Sequence, residues 1–376
     1  MKDTGMTTMN VRKINRNKVY SYIYNERSTC KLNITQSLQM GLSTVSQNLK
    51  LLEEEGLIQK NGAFESTGGR KADAVEIVRN AKISIGVAIL AKSIHVVATD
   101  LYGELLPAYT CPLIFETNEQ YYKNVGNCVE TFIEANHLNQ ENILGVSIAT
   151  QGIISKDGTS VSYGELLHNT SMKLSDFQAF IPYPCRLEHD SKAAANLEVW
   201  RSKDIQNAIV FLLNTNLGGA IISNGIVQHG DHMRSGTIEH LCIDEDGPLC
   251  YCGKHGCLET YCSAKSLESR IQATIPEFFV LLNTGNEQAL TVWHDFLSHL
   301  AEAIRSLSVI IDGKYIISGY LAPYFSNQDI QYLINEINTK ATFPLTIEDI
   351  IISSNGQFTQ AIGTSLYYID EYLRQI

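Results

Sequence analysis

Cys250-Tyr251-Cys252-Gly253-Lys254-His255-Gly256-Cys257-Leu258-Glu259 sets three thiols within eight residues, with His240 ten residues before the first of them. A closed zinc site takes four tetrahedral nitrogen or sulfur ligands, and three cysteines with one histidine are a standard set. Gly253 and Gly256 let so short a loop double back, because they reach positive φ without a Cβ clash. The competing reading is a group of buried apolar cysteines, since free Cys is among the most buried residue types. Clustering at this spacing favours the metal. The stretch is therefore expected to be a metal staple beside a ligand site.

A chain of 376 residues exceeds one ordinary core and predicts two or three domains. A hydrophobic fraction of 44% with 18% charged residues is that of a folded globular protein. No uninterrupted apolar run of about 18 residues and no signal-peptide pattern occurs, so a membrane role is not expected. Nine cysteines in such a chain point to a reduced cytoplasm and to metal binding over a disulfide framework. Residues 1–80 hold 12 Lys/Arg against 8 Asp/Glu, a balance of +4, within a total of −11. A mildly basic head on an acidic body fits a nucleic-acid module joined to something else.

Within the head, Val19, Tyr20 and Ile23 recur at helical spacing, after polar residues 1–11 that are expected to be mobile. A second helix is expected after Asn33, with Gln36 as its capping-box partner. A third is expected from Thr44 to Glu55, N-capped by Ser43, burying Val45, Leu49 and Leu52 and ending at Gly56. Strands at Leu57–Lys60 and Ala74–Val78 flank the loop Ser66-Thr67-Gly68-Gly69-Arg70-Lys71. Three short helices and a two-stranded wing make a winged helix-turn-helix, whose third helix enters the major groove of double-stranded DNA. Ser43, Thr44, Ser46, Gln47, Asn48 and Lys50 are the expected contacts on that helix, with Arg70 and Lys71 on the wing. The amides of Gln47 and Asn48 match adenine, and Lys50 matches a phosphate. The competing reading is a helical protein-interaction module.

Beyond residue 80, strand-like runs at Ile83–Leu90, Ile94–Thr99, Ile143–Ile148, Ala208–Leu213, Ala220–Ile222 and Tyr315–Ile317 alternate with helical stretches. The helical stretches are Glu119–Glu134, Ser191–Arg201, Glu287–Leu307 and Gln357–Arg374. Such alternation predicts an α/β body. The order of motifs, the wing sequence and the pattern Cys-x-Cys-Gly-x-x-Gly-Cys-x-Glu resemble the ROK family of repressors and sugar kinases, in its winged-helix repressor branch. The resemblance covers nearly the whole chain. It implies a two-lobed actin-like (ribonuclease-H-like) ATPase fold, structural Zn2+ on His240, Cys250, Cys252 and Cys257, and three parts. These are a DNA-binding domain at 1–80, a first lobe at 81–195 joined by the C-terminal helix 356–376, and a second lobe with the zinc at 196–355.

The resemblance also implies effector contacts. Asp190 stands where the family's catalytic base stands, flanked by His189 and Lys192 in place of two asparagines. His240 survives from a Glu-x-Gly-His motif whose sugar-binding Glu is Thr237 here. Glu259 and Asn169 match further sugar contacts. Lys192, His189 and Arg234 allow a phosphorylated or acidic sugar as well as a neutral one.

Phosphates of ATP are held by backbone N–H groups of glycine-rich turns. The first such turn of the family lacks its Asp, second Gly and Thr in Ile83–Leu90 here. The second reads Asn214-Thr215-Asn216-Leu217-Gly218-Gly219, the third Ser318-Gly319-Tyr320, and a Pro-Gly near the sugar is Gln151-Gly152. The expectation is a cytoplasmic, non-catalytic transcriptional regulator, a repressor of carbohydrate genes. It would bind operator DNA as a homodimer or tetramer and respond to a sugar or sugar derivative. Two alternatives stand beside it: an active sugar kinase, and a regulator whose body only dimerises.

Overall fold

The computed structural model describes residues 8–64 and 72–376. The head is built from α1 (Thr8–Glu26), β1 (Ser28–Cys30), α2 (Lys31–Ser37), α3 (Leu42–Glu54), β2 (Ile58–Phe64) and β3 (Ala72–Ile77). Its strands form one antiparallel sheet in the order β1-β3-β2, one strand more than the sequence announces. Helix α1 starts inside the polar stretch expected to be mobile. Helix α2 starts two residues before Asn33, so the expected Asn33–Gln36 capping box does not exist. Gly41 rather than Ser43 is the N-cap of α3, which therefore begins two residues earlier than expected. The face of α3 turned to the core carries Val45, Asn48 and Leu52, and Leu49 is only partly covered.

The body contains two sheets of the same plan. In the first lobe β4 (Ile83–Ile89), β5 (Ser93–Thr99), β6 (Leu105–Pro112), β7 (Ile143–Thr150) and β10 (Cys185–His189) lie in the order β10-β7-β4-β5-β6. Helix α4 (Glu119–Ala135), the hairpin β8 (Ile153–Ile154) and β9 (Val161–Tyr163), and α5 (Leu174–Gln178) fill the connections. Helix α6 (Asp190–Arg201) follows β10 directly. In the second lobe β11 (Ala208–Leu213), β12 (Leu217–Ser223), β13 (Ile226–Val227), β14 (Lys314–Ser318) and β15 (Ile350–Ile352) lie in the order β13-β12-β11-β14-β15. In both sheets three antiparallel strands continue into two parallel ones. This is the duplicated actin-like plan. Helices α7 (Glu259–Cys262), α8 (Ala264–Ile271), α9 (Ile275–Asn283), α10 (Glu287–Ser308) and α11 (Asn327–Lys340) cover the second sheet.

The last helix, α12 (Thr359–Gln375), returns to the first lobe and packs on β4, β5, β7 and α6. Its Gly363 allows that approach, because a Cβ there would sit 1.9 Å from the carbonyl oxygen of Ala193 on α6. The expected lobe boundary after residue 195 falls inside α6, which is one uninterrupted helix to Arg201. That helix also pins the second lobe. Glu198 is buried and accepts hydrogen bonds from Ser318 Oγ (3.2 Å), Ser353 Oγ (2.6 Å) and Asn355 Nδ2 (2.9 Å).

The head is not a separate bead. Its core residues Val19, Tyr20, Ile23, Ile34, Val45 and Leu52 share one cluster with Leu101, Tyr102, Ile369 and Ile376 of the body. Tyr24 stacks on Tyr102 at 4.8 Å, and the guanidinium of Arg27 lies 3.5 Å from the centre of the Tyr102 ring. Cys111 on β6 and Cys128 on α4 lie side by side, with their Cα atoms 6.8 Å apart. No helix among the described residues is long and apolar enough to cross a membrane.

Candidate functional site

The cysteine stretch folds back on itself as its glycines predict. Gly253 and Gly256 have φ of 79° and 69°. Gly256 also has no room for a side chain, since a Cβ would lie 1.4 Å from the carbonyl oxygen of Asp244. Backbone bonds from Cys250 N to Lys254 O (2.8 Å) and from Gly256 N to Pro248 O (2.9 Å) close the loop. One ligand atom each from His240, Cys250, Cys252 and Cys257 then fall within 4.8 Å of one another. Cys252 Sγ and Cys257 Sγ are 3.6 Å apart, close to the spacing of two sulfurs on one tetrahedral metal with bonds of about 2.3 Å. His240 Nε2 lies 3.3 Å from the hydroxyl of Tyr251, whereas its Nδ1 is buried without a partner. That orphaned nitrogen beside three thiols fits a metal. Burial pushes the thiols of Cys250 and Cys257 up, the latter to about 12. A divalent cation is the charge that lets such thiols ionise together.

Next to this cluster a cavity of about 330 Å³ opens between the lobes. Gln151, Gly152, Ile153, Tyr163 and Gly164 form its first-lobe wall, and His189, Asp190 and Ser191 its floor at the start of α6. Asn216, Leu217, Gly218, Arg234, Thr237, Glu239, His240 and Tyr251 close it from the second lobe. His240 thus stands in both the metal cluster and the cavity wall. The volume is at the small end of ligand pockets, roughly 300–1,000 Å³.

Asp190 is the first residue of α6, where the helix N-terminus favours a carboxylate. Its Oδ1 accepts from Ser191 N (2.6 Å) and Ser191 Oγ (3.1 Å). Burial nevertheless dominates and raises its pKa to about 6. His189 Nε2 is 3.7 Å from Asp190 Oδ1. Burial, then the charge of Lys192, hold the imidazole near 3, so this is a neutral ring beside a carboxyl and not an ion pair.

Two expected effector contacts are not on the cavity surface. Asn169 is buried behind the first-lobe wall, its Nδ2 donating to Thr150 Oγ1 (3.1 Å) and to Gln151 O (2.9 Å). Glu259 is directed at the turn before β12, accepting from Asn216 Nδ2 (2.6 Å) and Leu217 N (2.5 Å). Each positions a piece of wall instead of touching its contents. Lys192, expected to bring positive charge, does not line the cavity either. Its Nζ donates to the carbonyl of Ser235, and burial lowers its pKa to about 8.

The residue missed by sequence reasoning is Glu239. It occupies the Gly position of the family's Glu-x-Gly-His pattern, beside Thr237, and lies in a single 3-10 turn, Ile238–His240. Its side chain is 7% exposed, lines the cavity, and has an Oε2 with no hydrogen-bond partner. Burial raises its pKa to about 8, with Asp190 and Glu259 adding to the effect. The signal available was one unmatched acid next to a metal ligand.

In the head, Ser43, Gln47 and Lys50 are exposed on α3, and Thr44 and Ser46 are half-buried. Ser46 Oγ bonds back to Leu42 O at 2.6 Å. Asn48 is the exception to the expected reading face: it is 6% exposed, and its Nδ2 donates to Thr44 O at 2.8 Å. Its amide is turned into the head and away from any groove. Arg70 and Lys71 lie outside the described residues.

The ROK family model matches residues 84–371. The xylose repressor of Bacillus subtilis is 23% identical over 385 aligned residues, covering 97% of this chain and 97% of its own. A crystal structure of a ROK family transcriptional regulator, a homologue of E. coli MLC, aligns with a TM-score of 0.73 at 19% identity. That alignment covers 97% of this chain and 98% of the other. The ROK hexokinase of Thermus thermophilus aligns with a TM-score of 0.62 at 18% identity, over 78% of this chain and all of its own. The family's kinase fold is therefore matched without a share of this chain the size of the head, and the regulator fold with it. This chain belongs to the ROK family.

Proposed function

We propose that this chain is a sequence-specific DNA-binding regulator, in the sense of a repressor, of genes for carbohydrate use. Its head acts as a winged helix-turn-helix and its body as the sensor of a sugar or sugar derivative. The observation that carries the reading is the full-length match to a xylose repressor, together with a ligand-sized cavity between the two lobes. Helix α3 presents Ser43, Thr44, Gln47 and Lys50 to a major groove, and Arg70 and Lys71 are the further DNA contacts proposed from sequence. Two copies bind the halves of a pseudo-palindromic operator. Zn2+ on His240, Cys250, Cys252 and Cys257 is structural: it has no open position and fixes the wall that carries His240.

An effector changes operator affinity only through a difference in its affinity for two conformations. Closure of the lobes around a ligand at Asp190 and His240 is the natural pair of states. Against an active kinase stand the turns that would meet a nucleotide. The N–H of Tyr320 already donates to Asn214 Oδ1 (2.7 Å), and that of Leu217 to Glu259. Donors satisfied within the chain are not available to phosphate oxygens. The test is capture of genomic DNA by the full-length protein, followed by mobility shifts of the recovered sites with and without a panel of sugars. The expected result is a palindromic site released by at least one sugar. Phosphorylation of any hexose from Mg-ATP would overturn the non-catalytic reading.

A further inference from the structure

The cavity contains an imbalance that the family's pattern does not anticipate. Two buried carboxyl groups, Asp190 and Glu239, face it from opposite lobes, and the exposed Glu165 lines it as well. No buried cation lines it among the described residues. Lys192 is outside the lining, tied to the Ser235 carbonyl, although its charge still acts on Glu239, and Arg234 is exposed. His189 is neutral. A phosphorylated or acidic sugar would thus meet these carboxyls with no buried cation in the lining, which argues against the anionic ligand that the sequence left open.

Glu239 supplies the second observation. Its Oε2 is buried, faces the cavity, and lacks any hydrogen-bond partner. A buried acceptor left unpaired is costly, so a site that keeps one is shaped for a donor brought by the ligand. A neutral hydroxyl would satisfy the hydrogen bond and leave two acids facing each other. A protonated amine satisfies the bond and brings the positive charge that the lining lacks, and charge-assisted bonds are the stronger class.

We propose that the effector is an amino sugar, and that Glu239 selects it by receiving the ammonium group while Asp190 takes a hydroxyl. This rests on the reading of the interlobe cavity as the effector site. In the family pattern the acid stands three residues before the histidine. Here that place is Thr237, whose Oγ1 donates to Arg234 O at 3.1 Å, and the acid stands one residue before the histidine. Moving the carboxyl by two residues alters which part of a ring it reaches, and with it the ligand chosen.

Calorimetric titration of the full-length protein near neutral pH tests this. Glucosamine, galactosamine and mannosamine are each compared with the parent neutral hexose and with the N-acetylated form. The expected result is that at least one amine binds about tenfold or more tightly than both its parent and its N-acetyl derivative, about 1.4 kcal/mol. Glu239→Gln should reduce that preference to within about twofold, read as the ratio of the two affinities in the variant. Equal binding of a hexose and its amine in the native protein overturns the inference and leaves the sugar pocket standing. So does an amine preference that survives Glu239→Gln. Failure of every compound to bind overturns the pocket reading and this inference together.

Discussion

Asp190 serves the cavity at the expense of the fold. Its folded-state pKa is raised, from the ordinary 3.8 to about 6, so the native structure prefers the neutral acid. The associated stability is present below the unfolded pKa and is lost as pH rises through about 6. Two pKa units correspond to about 3 kcal/mol at the upper limit. Asp190→Asn is therefore expected to be more stable than the native protein, by about 1–2 kcal/mol at pH 5 and about 3 kcal/mol at pH 7.5. Urea unfolding at the two pH values checks the sign and the growth of the gap, and the same variant should lose sugar binding. Cys252→Ser is expected to go the other way, losing bound zinc and several kcal/mol of stability, as read by metal analysis and melting. Gly256→Ala should cost about 3 kcal/mol or more, because a carbonyl occupies the place of the added methyl.

At this scale the sequence was legible where the chemistry is local. His240, Cys250, Cys252 and Cys257 stand at a spacing that announces a cluster, and the structure gathers them. Direction was not legible. Asn48 and Gln47 are neighbours with near-identical amides, yet one is turned into the core by a bond to Thr44 and the other is exposed. Glu259 and Glu239 are both buried acids near the metal loop, and of the two Glu239 alone lines the cavity. Spacing along a chain does not report which way a side chain leaves a 3-10 turn or a four-residue helix.

Helix α3 is the element on which the proposed DNA recognition depends, and its charges are already partly engaged. Lys50 lies 3.6 Å from Glu54 on the exposed face, and Lys60 lies 3.5 Å from Glu53. Both pairs are solvent-exposed and weak, so Lys50 is free to exchange Glu54 for a phosphate. Lys50→Ala should weaken binding evenly across sequences and reduce the salt slope by about 1, whereas Gln47→Ala should cost about 1–3 kcal/mol and relax one base position. Mobility shifts at several salt concentrations separate the two. Asn48→Ala, by contrast, should act on the stability of the head and leave sequence preference unchanged. Of the elements, four long helices were readable from sequence, α4, α6, α10 and α12, which fall within a few residues of their expected spans, whereas the 14-residue α11 was not. The short strands β1, β6, β10 and β15 were not, because three to eight residues paired at a distance leave little periodicity of their own.

For the whole molecule, the decisive feature is that head and body share a core. Ile369 and Ile376 of α12 and Leu101 and Tyr102 of the β5–β6 turn complete the packing around Tyr20 and Ile23. A fragment ending at residue 80 would lack these partners. Removal of residues 372–376 is expected to loosen the head selectively. Protection of α1 and α3 amides from hydrogen exchange should fall while that of β4 and β11 is kept, and operator affinity should drop with it. The sequence indicated a boundary at 80 from charge and composition, and neither quantity reports a contact made nearly 300 residues later.

Glu198 gives the interlobe motion a geometry. Its three hydrogen bonds fix α6 to the ends of β14 and β15, and Asp190 lies eight residues away along the same helix. At 1.5 Å of rise per residue that arm is about 12 Å long. A turn of about 10° of the second lobe about this fulcrum therefore shifts its wall by about 2 Å against the carboxyl of Asp190. That is the difference between a hydrogen bond and none, reached while the fulcrum itself scarcely stirs. A binding event can thus be large at the mouth of the cleft and almost silent at its base.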